Sequence, residues 1–97
     1  MLFRSVLLYV RDGDRFAVVA SNYGQTRHPA WYHNIEANPD VEAQVGRERL
    51  ALRARVAEGD ERQRLWEAAD EVNKGNYTNY QRTTGGREIP VVVLERR

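Results

Sequence analysis

Two runs of alternating residues joined by a short turn constrain this chain more than any other feature. In "VEAQVG", Val41, Ala43 and Val45 alternate with Glu42 and Gln44. In "RLALRARVAEG", Leu50, Leu52, Ala54 and Val56 recur at every second position, with Arg49, Arg53 and Arg55 off that register or opposite it. Successive side chains of a strand point to opposite faces, so this period fits two half-buried strands. Residues 46–48 supply the turn, and the pair reads as an antiparallel hairpin. "MLFRSVLLYVRDGDRFAVVAS" reads as another, with Asp12-Gly13 as the favoured turn chemistry. Residues 91–94 of "REIPVVVLERR" are apolar without alternation, which predicts a strand buried on both faces. Pro90 precedes that run, where its missing N–H does least harm.

Between these strands the period changes. Pro29 suits a first helical position, and Trp31, Ile35 and Tyr32 fall towards one face of a short helix ended by Asn38-Pro39-Asp40. In "DERQRLWEAADEVN", Asp60 and Gln63 fit a capping box, and Leu65, Ala69 and Val72 form an apolar stripe with Trp66 alongside. "KGNYTNYQRTTGG" is polar and turn-rich. The fold class is therefore mainly β within α+β: one domain over residues 1–97, about five antiparallel strands with two to three helices, closing as a small barrel or half-barrel.

Composition closes several routes. The chain has 97 residues, 41% hydrophobic and 30% charged, which suits one soluble globular domain. It has no cysteine, so disulfides and thiolate chemistry are excluded. The two histidines, His28 and His33, do not make a metal site, and no metal is expected. Fifteen basic against 14 acidic residues leave no excess to attract nucleic acid. An RNA face of Arg49, Arg53 and Arg55 is the weaker reading, because Glu42, Glu48 and Glu58 offset them. No apolar run has membrane-spanning length, so no integral membrane segment and a cytoplasmic location are expected.

Three stretches could carry chemistry. The loop over residues 21–28 holds Gly24 and Arg27 and ends at a helix start. That suits a phosphate or carboxylate, or else is an ordinary strand-to-helix loop. In "HPAWYHN", Trp31 and Tyr32 could stack on a flat ring with His33 or Asn34 at its polar edge, or one aromatic anchors the helix to the sheet. Tyr77 and Tyr80 are three apart, on one face if helical, and phenols serve as proton donors or clamps as readily as rim residues. No Ser-His-acid motif is present, so difficult chemistry would need a borrowed cofactor.

The blocks "VVAS…G…HPAWYHN…ANPDV", "YxxYQ" and "R-x-IPVVVLE", in that order, resemble the deazaflavin-dependent nitroreductase family, and the resemblance covers nearly the whole chain. It implies a split β-barrel related to flavin-mononucleotide-binding barrels. It further implies hydride transfer from reduced coenzyme F-420 to a quinone or nitroaromatic acceptor, with FMN as the alternative cofactor. Val19, Ala20 and Ser21 would run beside the deazaflavin ring, with Ser21 near the hydride-acceptor site. Asn22, Gly24, Arg27, Pro29, Trp31 and Asn34 would belong to the cofactor-binding segment, and Tyr77 and Tyr80 would border the substrate. Asn22 stands where relatives often have a lysine, and Lys74 where some have a further tyrosine; Gly85-Gly86 lengthens the last loop. Relatives also carry a first strand and a basic phosphate-gripping turn before the point where this chain starts, so a homodimer that completes the barrel is expected. The rival expectation is a non-catalytic protein of this fold that binds a flavin, deazaflavin or hydrophobic metabolite.

Overall fold

The computed structural model of the chain describes residues 7–97, so the part of the first expected strand over residues 1–6 lies outside the described residues. Among the described residues, five strands form one antiparallel sheet: β1 (Tyr9–Asp12), β2 (Arg15–Val19), β3 (Asp40–Val45), β4 (Glu48–Val56) and β5 (Val91–Arg96). Their order is β1-β2-β5-β4-β3. The last strand in the chain thus lies at the centre, between two hairpins. Val91, Val92, Val93 and Leu94 are all buried, as their unbroken apolar run predicts.

Both hairpins close with a two-residue turn opened by glycine. Asp12 pairs with Arg15 and Val45 with Glu48, which leaves Gly13-Asp14 and Gly46-Arg47 as the turns. Gly13 (φ 64°) and Gly46 (φ 62°) are left-handed, and their successors are not. Glycine at the first central position matches the twist of the flanking strands, so the first turn sits one residue later than Asp12-Gly13.

Three helices cover the sheet: α1 (Ala30–Ala37), α2 (Gly59–Val72) and α3 (Asn76–Gln81). Tyr32 and Ile35 of α1 join Phe16, Val18, Val41, Leu50, Leu52, Val92 and Leu94 in one apolar cluster. Leu65 and Ala69 of α2 and Tyr77 of α3 join Ala17, Val19, Ile89, Val91 and Val93 in the other. Arg64 of α2 ties the edge strand down through Asp12 (2.9 Å), and Arg62 donates to the Ile89 carbonyl (2.7 Å).

Several local expectations shift. Pro29 caps α1 from outside (ψ 154°), and the helix begins at Ala30. Helix α2 begins at Gly59, two residues before the capping box requires, so Asp60 lies inside it and no side chain caps its start. Gln63 donates instead to Glu67 (2.8 Å), and Asp60 and Glu61 occupy the first turn, where carboxylates favour the helix dipole. Val72, expected in the α2 stripe, is exposed at the helix end. Val56 is exposed too: β4 ends there, and burial resumes one residue on at Ala57, in the cluster on the other face. The turn-rich segment contains a helix, α3, which puts Tyr77 and Tyr80 one turn apart.

Candidate functional site

The site is built where β2 ends. Its alternation sends Phe16, Val18 and Ala20 to the α1 side and Ala17 and Val19 to the α2–α3 side. Three consecutive residues then take positive φ: Asn22 (49°), Tyr23 (55°) and Gly24 (75°). Such backbone is costly for any residue but glycine and is found where the surroundings impose it.

The surroundings here are specific. A Cβ on Gly24 would lie 2.3 Å from Thr83 Oγ1 and 2.7 Å from the Tyr80 carbonyl oxygen. Only glycine lets the loop rest on the end of α3. Thr83 Oγ1 donates to the Gly24 carbonyl (2.7 Å), and Asn22 Nδ2 donates to the Arg27 carbonyl (2.9 Å). Arg87 clamps both feet of the loop: Nη2 donates to the carbonyls of Ser21 (2.7 Å) and Gln25 (3.0 Å), and Nη1 to that of Ala20 (3.2 Å). Arg87 Nη1 also meets His28 Nδ1 at 3.0 Å. Burial, then the Arg87 charge, holds His28 below its ordinary pKa, and the neutral ring accepts this bond.

An open cleft of about 400 Å³ lies between this loop and α3. Val19, Leu7, Leu8 and Pro29 give it apolar wall; Trp31, Tyr23, Tyr77 and Tyr80 give it rings; Ser21, Asn22 and Asn73 give it neutral polar groups. The tyrosines form an edge-to-face row, with Tyr23 to Tyr80 at 6.2 Å and Tyr80 to Tyr77 at 6.5 Å between centroids. Tyr77 is buried, and burial raises its pKa, helped by Tyr80 and Asp70. It therefore stays protonated at neutral pH and can donate.

The cleft gathers Val19, Ser21, Asn22, Pro29, Trp31, Tyr77 and Tyr80 from the residues singled out in the sequence. It does not gather four others. Ala20 is fully buried on the opposite face, because neighbours on a strand cannot share a face. Gly24 is spent on the contact with α3. Arg27 is exposed and offers its carbonyl to Asn22. Asn34 is exposed on α1, next to His33, whose ring lies 3.5 Å from Glu36. Of the two helix aromatics, Tyr32 is core and Trp31 faces the cleft while also packing on the core.

Tyr23, Asn73, Leu7 and Leu8 were not singled out, and neither was the brace, Arg87. The arginine is visible in the sequence as the first residue of "R-x-IPVVVLE", but its target carbonyls lie more than sixty positions away. Tyr23 precedes a glycine in a loop, a place that carries no periodicity.

An aromatic cleft with no charged side chain in its described lining, set at the end of one strand and roofed by a strained loop, has the chemistry that suits a flat ring. The chain belongs to the F420H(2)-dependent quinone reductase family, whose model matches residues 2–96. An F420H(2)-dependent quinone reductase of Mycobacterium tuberculosis is 50% identical over 93 residues, 94% of this chain and 62% of the relative. A putative F420H(2)-dependent quinone reductase of the same species is 41% identical over 95 residues, 98% of this chain and 78% of the relative. A solved structure described as an F420-H2-dependent reductase superposes with a TM-score of 0.81 at 41% identity, covering 92% of this chain and 77% of that one. Another, described as a domain-swapped dimer, superposes at 0.83 with 41% identity, covering 92% and 66%. The chain thus spans under two thirds of the first of these relatives.

Proposed function

We propose that this chain carries the ring-binding cleft of an F420H(2)-dependent quinone reductase, an oxidoreductase in which a quinone or nitroaromatic acceptor is reduced. The observation that carries this reading is a cleft lined by three tyrosines, Trp31 and Val19, with no charged side chain in its described lining. Flat aromatic rings are held by stacking and edge contacts in such surroundings, with a few neutral polar groups fixing their orientation. The residues therefore fit the ring portion of a deazaflavin. Bound there, the reduced deazaflavin would supply the hydride.

The chain's own groups would do the rest. Val19 and Trp31 hold the ring plane, and the Ser21 hydroxyl offers a hydrogen bond at its edge. Tyr77, protonated at neutral pH as an ordinary phenol is and lining the cleft, offers its phenol proton to the acceptor oxygen as negative charge develops there. Holding both partners in one cleft removes the entropic cost of their encounter. Coenzyme F420 is the proposed ligand rather than flavin mononucleotide, because the family is described by F420H(2).

A homodimer is proposed as the assembly. β1 and β3 are the outer strands of the sheet among the described residues, open edges invite pairing, and one solved relative is described as a domain-swapped dimer. No helix among the described residues is long and apolar enough to cross a membrane. The cytoplasm is the proposed location, to be checked by cell fractionation.

The test is to mix purified protein with reduced F420 and menadione and follow the return of the oxidised cofactor's absorbance. Quinone-dependent oxidation at a steady rate is expected. Tryptophan quenching by F420 with no oxidation by any quinone would replace the enzyme with the cofactor-binding reading.

A further inference from the structure

We propose that Tyr23 is the residue by which this protein selects acceptors with extended ring systems, bicyclic quinones over monocyclic ones. The inference rests on the quinone reductase reading and adds to it a specificity determinant.

Three observations converge on Tyr23. Its backbone is left-handed (φ 55°), a conformation that is unfavourable for a bulky side chain. Its ring is 78% exposed, so folding gains little from its burial in return. Yet the conformation is imposed from all sides: by the Asn22 side chain on Arg27, by Gly24 against Tyr80 and Thr83, and by Arg87 on both feet of the loop. A large ring is thus held out at the lip of the cleft, touching only the edge of Tyr80 among the described aromatics. Beyond that one edge contact the arrangement adds little to the folded chain. It prepares an aromatic face before the ligand arrives, so little ordering is left for binding to oppose.

Position then sets specificity. Tyr77 is buried inside the cleft, and Tyr23 stands at its mouth with Tyr80 between them. A face at the mouth meets whatever part of an acceptor extends outward. Its contribution therefore grows with the number of fused rings, while the quinone oxygens are handled further in.

The experiment compares menadione with 1,4-benzoquinone in wild type, Tyr23→Gly and Tyr23→Phe. Glycine adopts the left-handed backbone freely, so the first variant folds, with a melting temperature no lower than wild type. The ratio of the KM values is expected to move against menadione by about two- to tenfold in Tyr23→Gly, the range of one aromatic contact, and to return to wild type in Tyr23→Phe. The ratio of dissociation constants, read by quenching of tryptophan fluorescence, is expected to move equally. Unchanged ratios overturn the proposal, and so does a change in sedimentation mass, which would assign Tyr23 to a subunit contact. If neither quinone supports oxidation of F420H(2) by wild type, the enzyme reading falls alone, and the dissociation constants still decide Tyr23. A wild type that binds neither quinone overturns both.

Discussion

The two faces of the sheet are built on different rules. On the α1 side, Phe16, Val18, Leu52, Val92 and Leu94 meet Tyr32 and Ile35 in a cluster whose side chains are almost wholly apolar. On the α2–α3 side, Val19, Val91 and Val93 meet Tyr77, with Trp66 and Tyr80 partly exposed beside it. The first face closes over its buried residues and leaves Leu7, Trp31 and Val45 partly exposed at its rim. The second closes only as far as α3, and beyond it lies the cleft, which Leu7 and Trp31 also border. One strand, β2, serves both, and single-residue alternation decides that Val19 sees the cleft and Ala20 the core. A core that is finished and a core left open are thus separated by one peptide unit.

This contrast can be broken by substitution. The largest effect is expected on the closed face. Leu52 is fully buried, and Leu52→Ala should lower unfolding free energy by about 2–5 kcal/mol in urea titrations while leaving cofactor affinity in the surviving folded fraction unchanged. Next is the seam between loop and helix. Gly24→Ala places a methyl against Thr83 and the Tyr80 backbone at a positive φ, and should cost roughly 1–3 kcal/mol together with cofactor affinity. Loss of stability with full affinity would show that the loop does not shape the site.

On the open face, binding and turnover should change more than stability. Trp31→Ala should raise the dissociation constant for F420, read by the cofactor's own fluorescence, more than Tyr77→Phe does, whereas Tyr77→Phe should lower kcat at near-normal affinity. Equal effects of both on binding alone would remove the distinction between wall and proton donor.

The smallest effect concerns pH. Burial depresses the His28 pKa below its ordinary 6.5, with Arg87 and His33 acting the same way and Glu36 against them. The unfolded chain therefore takes up this proton first as pH falls. The stabilisation is fully present above about 6.5 and is lost below it. Wild type should lose more melting temperature between pH 7 and pH 5 than His28→Gln does; equal losses would remove His28 from the brace.

Most of the closed face is legible in the sequence, and the reason is period. β3, β4 and β5 follow from alternation or its absence, because a strand half or wholly between layers has no other way to sort its side chains. Departures come at ends, where period loses its hold: Val56 and Val72 project past the last neighbour, and the α2 start slips by two residues. The open face is legible by residue type only. Tyr77 and Tyr80 are visible as a pair, but their helix is hidden in a polar, turn-rich stretch. Tyr23 and Arg87 are invisible as partners of the site because their roles depend on contacts distant in sequence. Gly24 is singled out for its freedom, and the structure uses that freedom against a helix.

The placement of β5 has a consequence for how the molecule comes into being. Synthesis delivers the two hairpins first, and each emerges with one row of amide groups waiting for a strand that does not yet exist. Residues 87–96 then arrive together, bringing the central strand and the arginine that locks the loop. Until that moment the nascent chain has neither a continuous sheet nor a shaped cleft. Sheet and cleft are thus completed in one step, and a chain cut short before Arg87 is left with separate hairpins and open edges, material for chaperones and proteases rather than a weakened binding site.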